Sequence, residues 1–241
     1  MHNRTEQFLN DPVFPLLVRM SAPNTIAFFI QAIVVLAEVW FISKLGTTSL
    51  AAVALAFPVI MLTQQMAFGA LGGAVTSSIA RSLGAEDKER AEKLLWHSLL
   101  LSCCGYLLFF LVFFIGGESL LMALGGEGSL LEESLLYIKI FLTGAIFIWL
   151  SGTLSAALRG IGNMRFPALL MIAGSGIQVI LAGGLILGWF GFPKLGIIGA
   201  PLSAISVAAL MAIVMIFKFM HSSSNVQLKL SNLSFKKELF R

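Results

Sequence analysis

The sequence predicts an all-α, polytopic membrane protein with six transmembrane helices, and three observations carry that expectation. Charged residues make up 12% of the chain and hydrophobic residues 58%, where a soluble domain carries roughly 25% charged residues. The charges cluster, leaving apolar blocks of about 20 residues or more, the length that crosses roughly 30 Å of hydrocarbon as helix. A barrel would instead show shorter, alternating strands, whereas the mean hydropathy of +0.92 comes from continuous apolar runs.

The polar N-terminal stretch "MHNRTEQFLNDPVFPLLVRM" lacks a short apolar region ahead of a small-residue cleavage site, so it does not read as a cleaved signal peptide. The first span is expected over residues 14–45 and the second over 49–82, joined by "KLGTTS". Both exceed the bilayer core, so tilt, kinking or extension beyond the membrane is expected. Pro23 and Pro58 are the expected kinks, because each removes a backbone donor. The charged connection "LGAEDKERAEK" leads to a third span over 92–116. Its adjacent Cys103 and Cys104 carry neither a disulfide nor a metal-site signal.

"GGESLLMALGGEGS" separates that span from a fourth over 130–158, "RGIGNMRFP" leads into a fifth over 166–190, and "GWFGFPKLG" into a sixth over 197–220. Residues 221–241, "HSSSNVQLKLSNLSFKKELFR", are polar and basic. They read as a surface helix, a disordered tail or, on their composition, a linker toward a further domain. Of the sixteen Lys and Arg residues, only Lys44, Lys139 and Lys194 fall on the side opposite the N-terminus. The positive-inside bias therefore places both termini in the cytoplasm.

In the first span Asn24, Gln31 and Glu38 recur every seven residues, and a step of seven drifts only about 20° around a helix. The stripe should face protein or water, because a bare charge in lipid costs several kcal/mol, of order 3 or more. Asn24 and Gln31 suit interhelical hydrogen bonds. Glu38 suits carriage of a proton, or of a cation when ionised, with contact to headgroups or Lys44 as its structural alternative. Thr76, Ser77 and Ser78 read as groups that satisfy backbone, and His97 as interfacial. Phe57, Met61, Gln64 or Gln65, and Phe68 share a face that either packs or lines a substrate chamber. In the fifth span Gly174, Gly176, Gly183 and Gly184 permit close helix approach, and Gln178 is its one amide. No Ser/His/Asp set, HExxH, Walker loop or paired carboxylate appears, so nothing argues for an enzyme. Nucleic acid is not an expected partner.

Four stretches in order, Pro23 followed fifteen residues later by Glu38, "EVWFISKLGTTSLAAVALAFPV", "SSIARSLGAEDKERA" and "ALRGIGNMRFPALL", resemble the N-terminal half of a multidrug and toxic compound extrusion (MATE) transporter. The last matches the family's LRGxGxxRxP turn. The resemblance implies a plasma-membrane antiporter, cytoplasmic at both termini, that exports amphipathic organic cations or similar drugs in exchange for H+ or Na+ and uses no cofactor. It places Glu38 in a cation or proton site and makes Pro23 a bending point of the first helix.

It also implies departures. Glu38 stands where the family usually has Asp, Gln178 and Ala182 where it has Asn and Asp, and Ala204, beside Ser203, where it has a hydroxyl. A lone carboxylate takes up a proton but makes a poorer sodium cage, which favours proton coupling with Gln31, Gln178 and Asn24 in support. Family members pair two six-helix lobes. Residues 1–220 would be one lobe and 221–241 a linker toward a second, which belongs to the rest of a longer chain or to another copy, unless the gene product is degenerate. The competing readings are a lipid-linked oligosaccharide flippase, which would need a basic central cavity, and a truncated, non-transporting bundle.

Overall fold

The computed structural model describes residues 12–221. The tail 222–241, and with it Lys229, Lys236, Lys237 and Arg241, lies outside the described residues, as does Arg4. Six helices long and apolar enough to cross a membrane follow one another: α1 Val13–Ser43, α2 Thr47–Gly84, α3 Lys88–Ala123, α4 Gly128–Gly160, α5 Arg165–Leu187 and α6 Gly199–His221. No strand occurs among the described residues.

α2, α3 and α4 are longer than the apolar runs that predicted them, and the connections flanking α3 correspondingly shorter. α3 begins inside the charged stretch because Asp87 caps it, its carboxylate accepting from the Arg90 amide at 2.8 Å. It then runs through Gly116 and Gly117 to Ala123, so the Gly-rich connection shrinks to a few residues after it. A helical Gly costs about 1 kcal/mol. Continuing the helix seats Gly117 and the fully buried Leu121 against the bundle. α5 stops earlier than its apolar run, because Gly188 adopts the left-handed conformation at φ +80° and turns the chain out.

α1 stays helical through Pro23, and α2 through Pro58. The irregularity in α2 lies elsewhere: Thr47–Gln64 and Leu71–Gly84 are α-helical, and Gln65–Ala70 between them is a π-helical turn. Such turns carry one residue more than an α-helix needs.

α4 is the hub. It packs on α6, α3 and α2, while α1 packs mainly on α5, and α5 on α6. Small residues four apart on α4, Gly152, Ala156 and Gly160, let its backbone meet that of α2, the lipid-bilayer equivalent of a knobs-into-holes seam. A Cβ on Gly152 would lie 3.2 Å from the Ala67 carbonyl oxygen, and one on Gly160 2.9 Å from that of Thr76. The Thr76 hydroxyl crosses this seam to the Ala156 carbonyl at 3.0 Å. Of the α5 glycines, Gly174 faces Val207 and Met211 of α6 and Gly183 faces Phe41 and Trp189, whereas Gly176 meets nothing within 4 Å.

Candidate functional site

Two polar rungs join α1 to α5. Gln178 Nε2 donates to Glu38 Oε1 at 2.8 Å, and Ser175 Oγ donates to Gln31 Oε1 at 3.2 Å. The spacings explain the match, since seven residues on α1 and three on α5 each return to the contact face. Gln178 and Ser175 are buried, and Glu38 and Gln31 half-buried. The face predicted from the seven-residue repeat is therefore turned into protein, and Glu38 meets the amide of the fifth span.

Glu38 does not reach Lys44. The Lys44 ammonium sits over the Trp40 ring, 5.0 Å from its centroid, within a cluster where Trp40, Phe41 and Trp189 meet at centroid separations of 5.3 to 6.2 Å. The Lys44 contact offered as an alternative role for the acid is therefore not made.

A third helix contributes a residue that sequence reasoning missed. Tyr137 of α4, only 6% exposed, lies in the same buried core as Phe41 and Ile42 of α1 and Ala182 of α5. A lone tyrosine in an apolar helix has no periodic signal, and no sequence pattern could have singled it out. One turn back on the same face stands Glu133, whose Oε2 is buried without a hydrogen-bond partner.

The remaining expected members are placed differently. Gln31 bonds Ser175 rather than Glu38. Asn24 is half-buried on α1, two turns from Gln31, and Pro23 precedes it inside the helix. Ala182, one turn from Gln178, is fully buried among apolar residues and offers no oxygen. Ser203, beside Ala204, donates to the Ala200 carbonyl of its own helix at 2.8 Å. Met61 is half-buried and Gln65 and Phe68 are exposed on α2. The π turn that contains Gln65 and Phe68 offsets them from the face that uniform helical spacing assigns. Phe68 lies against α4 at Gly152. Thr76 and Ser77 donate to backbone carbonyls as expected, and His97 Nδ1 lies 2.7 Å from the Lys93 carbonyl.

Chemically the arrangement is one carboxylate and one amide facing each other across two helices, with no cluster of three or more His, Cys, Asp or Glu side chains among the described residues. It suits a monovalent occupant: a proton on Glu38, with Gln178 orienting the carboxyl, or a cation bound to the ionised form. Replacing Ser175 with Ala removes only the second rung. It should lower stability by about 1 kcal/mol, read as a small drop in thermal midpoint.

A family model described as MatE matches residues 23–183. The chain is 32% identical over 200 residues to the FAD transporter of Shewanella oneidensis, covering 82% of this chain and 43% of that protein. It is 28% identical over 240 residues to the multidrug export protein MepA of Staphylococcus aureus, covering 97% and 52%. Among solved structures, an outward-facing multidrug resistance MATE family transporter of the MOP superfamily superposes with a TM-score of 0.84 at 31% identity, over 92% of this chain and 49% of that one. The chain thus spans about half the length of these relatives.

Proposed function

The chain belongs to the MatE family of multidrug efflux transporters, and from that premise we propose that it forms the N-terminal lobe of a proton-coupled antiporter that exports amphipathic organic cations, with Glu38 as the coupling group. The observation that carries this reading is the Glu38–Gln178 contact. An acid on a membrane-spanning helix is expensive unless it has work to do, and here it is held by a side chain from the far end of the sequence. Protonation and deprotonation of Glu38 would bias α1 against α5, and rocking of this lobe against a second one would give alternating access. The second lobe comes from a continuation of the chain or from another copy. The relative named as an FAD transporter supports a second substrate reading, an anionic dinucleotide, on the same lobe. Both termini would lie on the cytoplasmic side of the plasma membrane.

Reconstitution tests the reading. The 241-residue chain, alone and fused to the second half of the Staphylococcus aureus relative, is placed in vesicles with an acidic interior, and uptake of ethidium is followed by fluorescence. Uptake that collapses when the pH gradient is dissipated supports proton antiport. Uptake driven equally by a sodium gradient at constant pH would assign the other ion. A fusion that inserts correctly and transports under neither gradient would remove the proposal.

A further inference from the structure

The end of the bundle where α1 finishes and α6 begins carries an exposed surface that the Glu38 site does not use. On α1, Phe29, Ile33, Leu36, Trp40 and Lys44 follow one another at steps of three or four residues, which keeps them on one face of the helix. All five are exposed, and Glu38 falls on the opposite side. From Phe29 to Trp40 the apolar part of this stripe rises about 17 Å, roughly half the thickness of the hydrocarbon core. At its top the Lys44 ammonium lies over the Trp40 ring, 5.0 Å from the centroid.

The α5–α6 connection meets the stripe at the same level. Trp189 stands 6.2 Å from Trp40 between ring centroids, and Phe190 6.4 Å from Trp189. Two glycines of α5 seat this connection: a Cβ on Gly183 would lie 2.9 Å from Trp189 Cε3, and one on Gly184 3.0 Å from Phe192 Cδ2. Phe190 is held at φ +57°, a left-handed conformation that bulky side chains seldom adopt, and its ring is 77% exposed. The position of a Cβ on Gly188 is 3.2 Å from the Lys194 Cβ, so the chain brings Lys194 back to the residue that precedes Trp189.

Charge is divided unevenly at this end. The α3–α4 connection and its flanks hold Glu118, Glu127, Glu132 and Glu133, whereas neither the α1–α2 nor the α5–α6 connection contains an acid. Exposed Trp and Phe rings beside long basic side chains suit the boundary between headgroups and hydrocarbon. The stripe below them has no Gly, Ala or Ser to admit another helix closely, in contrast to the Gly152–Gly160 seam. Positive charge above one leaflet's depth of bulky apolar surface has the shape of an anionic amphiphile.

We propose that Lys44 and Lys194 hold the phosphate of an anionic phospholipid whose acyl tail lies along the Phe29–Trp40 face of α1. The inference is independent of the transport reading, because it uses the face of α1 turned away from Glu38.

Quenching of tryptophan fluorescence by brominated lipid tests it. The full chain carries Trp96→Phe, which leaves Trp40 and Trp189 as its exposed indoles. It is placed in phosphatidylcholine nanodiscs doped with phosphatidylglycerol or phosphatidylcholine brominated high on the acyl chain. Each lysine near a membrane surface is worth about fivefold in affinity for an anionic lipid. Phosphatidylglycerol should therefore quench at a mole fraction at least about fivefold lower than phosphatidylcholine. The Lys44→Gln/Lys194→Gln double variant should bring the two lipids within about twofold of each other, with each single variant in between. Lys139→Gln, the third basic position expected at this end, should keep the full preference. A wild-type preference below about fivefold, a double variant that retains it, or an equal loss in Lys139→Gln overturns the proposal. The same measurement on the fusion to the second half of the Staphylococcus aureus relative identifies the occupant. Retained quenching supports a lipid, and quenching abolished by the fusion shows the surface covered by the second lobe and overturns the proposal. Loss of pH-driven transport in a Glu38 variant would leave these outcomes untouched.

Discussion

On the proposed coupling role, Glu38→Gln is expected to abolish the response of transport to a pH gradient and to lower gradient-driven ethidium uptake by about a hundredfold or more, the scale of losing a proton-transfer group. The substitution keeps the length of the side chain, and an amide oxygen still accepts from Gln178 at the position where Glu38 Oε1 now lies 2.8 Å from Nε2. What disappears is the capacity to exchange a proton. Exchange of dye down its own gradient should therefore persist, while uphill uptake stops. Glu38→Asp gives the contrasting case: it retains the proton and shortens the reach to Gln178 by a methylene, so it should reduce the rate yet keep the pH response. Equal uptake by Glu38→Gln and the wild type at every pH would exclude Glu38 from coupling.

Gly199→Ala destabilises the lobe by about 3 kcal/mol, at the upper end of what overpacking costs. A Cβ on Gly199 would lie 2.5 Å from the Leu185 carbonyl carbon and 2.7 Å from both the Leu185 oxygen and the Ile186 nitrogen. All three are backbone atoms, so no side chain can rotate away and the start of α6 must lift off the end of α5. Gly144, by comparison, has the Ile205 side chain as its nearest neighbour, which has other rotamers. The measurement is the midpoint of denaturant-induced loss of helical signal in detergent, with Gly73→Ala as the control, where nothing lies within 4 Å and a gain of about 0.5 kcal/mol is expected. A Gly199→Ala midpoint no lower than that of Gly73→Ala would show that the α5–α6 contact is not tight in the membrane.

Much of this was legible beforehand, for identifiable reasons. Apolar run length and the punctuation by Gly and charge located all six helices, and the seven-residue recurrence of Asn24, Gln31 and Glu38 identified the inward face of α1. Gln178 was associated with Glu38 through the resemblance, which puts it at a position of the family's site, and the two side chains meet at 2.8 Å. The helix ends were read less well, because Lys88 and Glu89 or Gly116 and Gly117 argue against a transmembrane run without arguing against a helix. Tyr137 was illegible, being one aromatic ring in an apolar helix until three helices are brought together. The same holds for Ser175, whose bond to Gln31 spans 144 positions of sequence. The π turn has no signature in a pattern that assumes a constant rotation per residue, so Gln65 and Phe68 were assigned to a face they do not strictly share with Met61.

That turn has a mechanical consequence. A π turn is a dislocation in an otherwise regular lattice of hydrogen bonds, and a dislocation can move without the lattice being broken. Shifting the surplus residue of Gln65–Ala70 one place along α2 would rotate the residue it passes by about 100°. Gly69, Gly72 and Gly73 lie in its path, and two of the three present no steric obstacle. The residues between Gln65 and Gly73 could then be re-aimed like a cam, while the part of α2 that carries Phe57 and Met61 and the part stitched to α4 by Thr76 and Gly160 stay in their bearings.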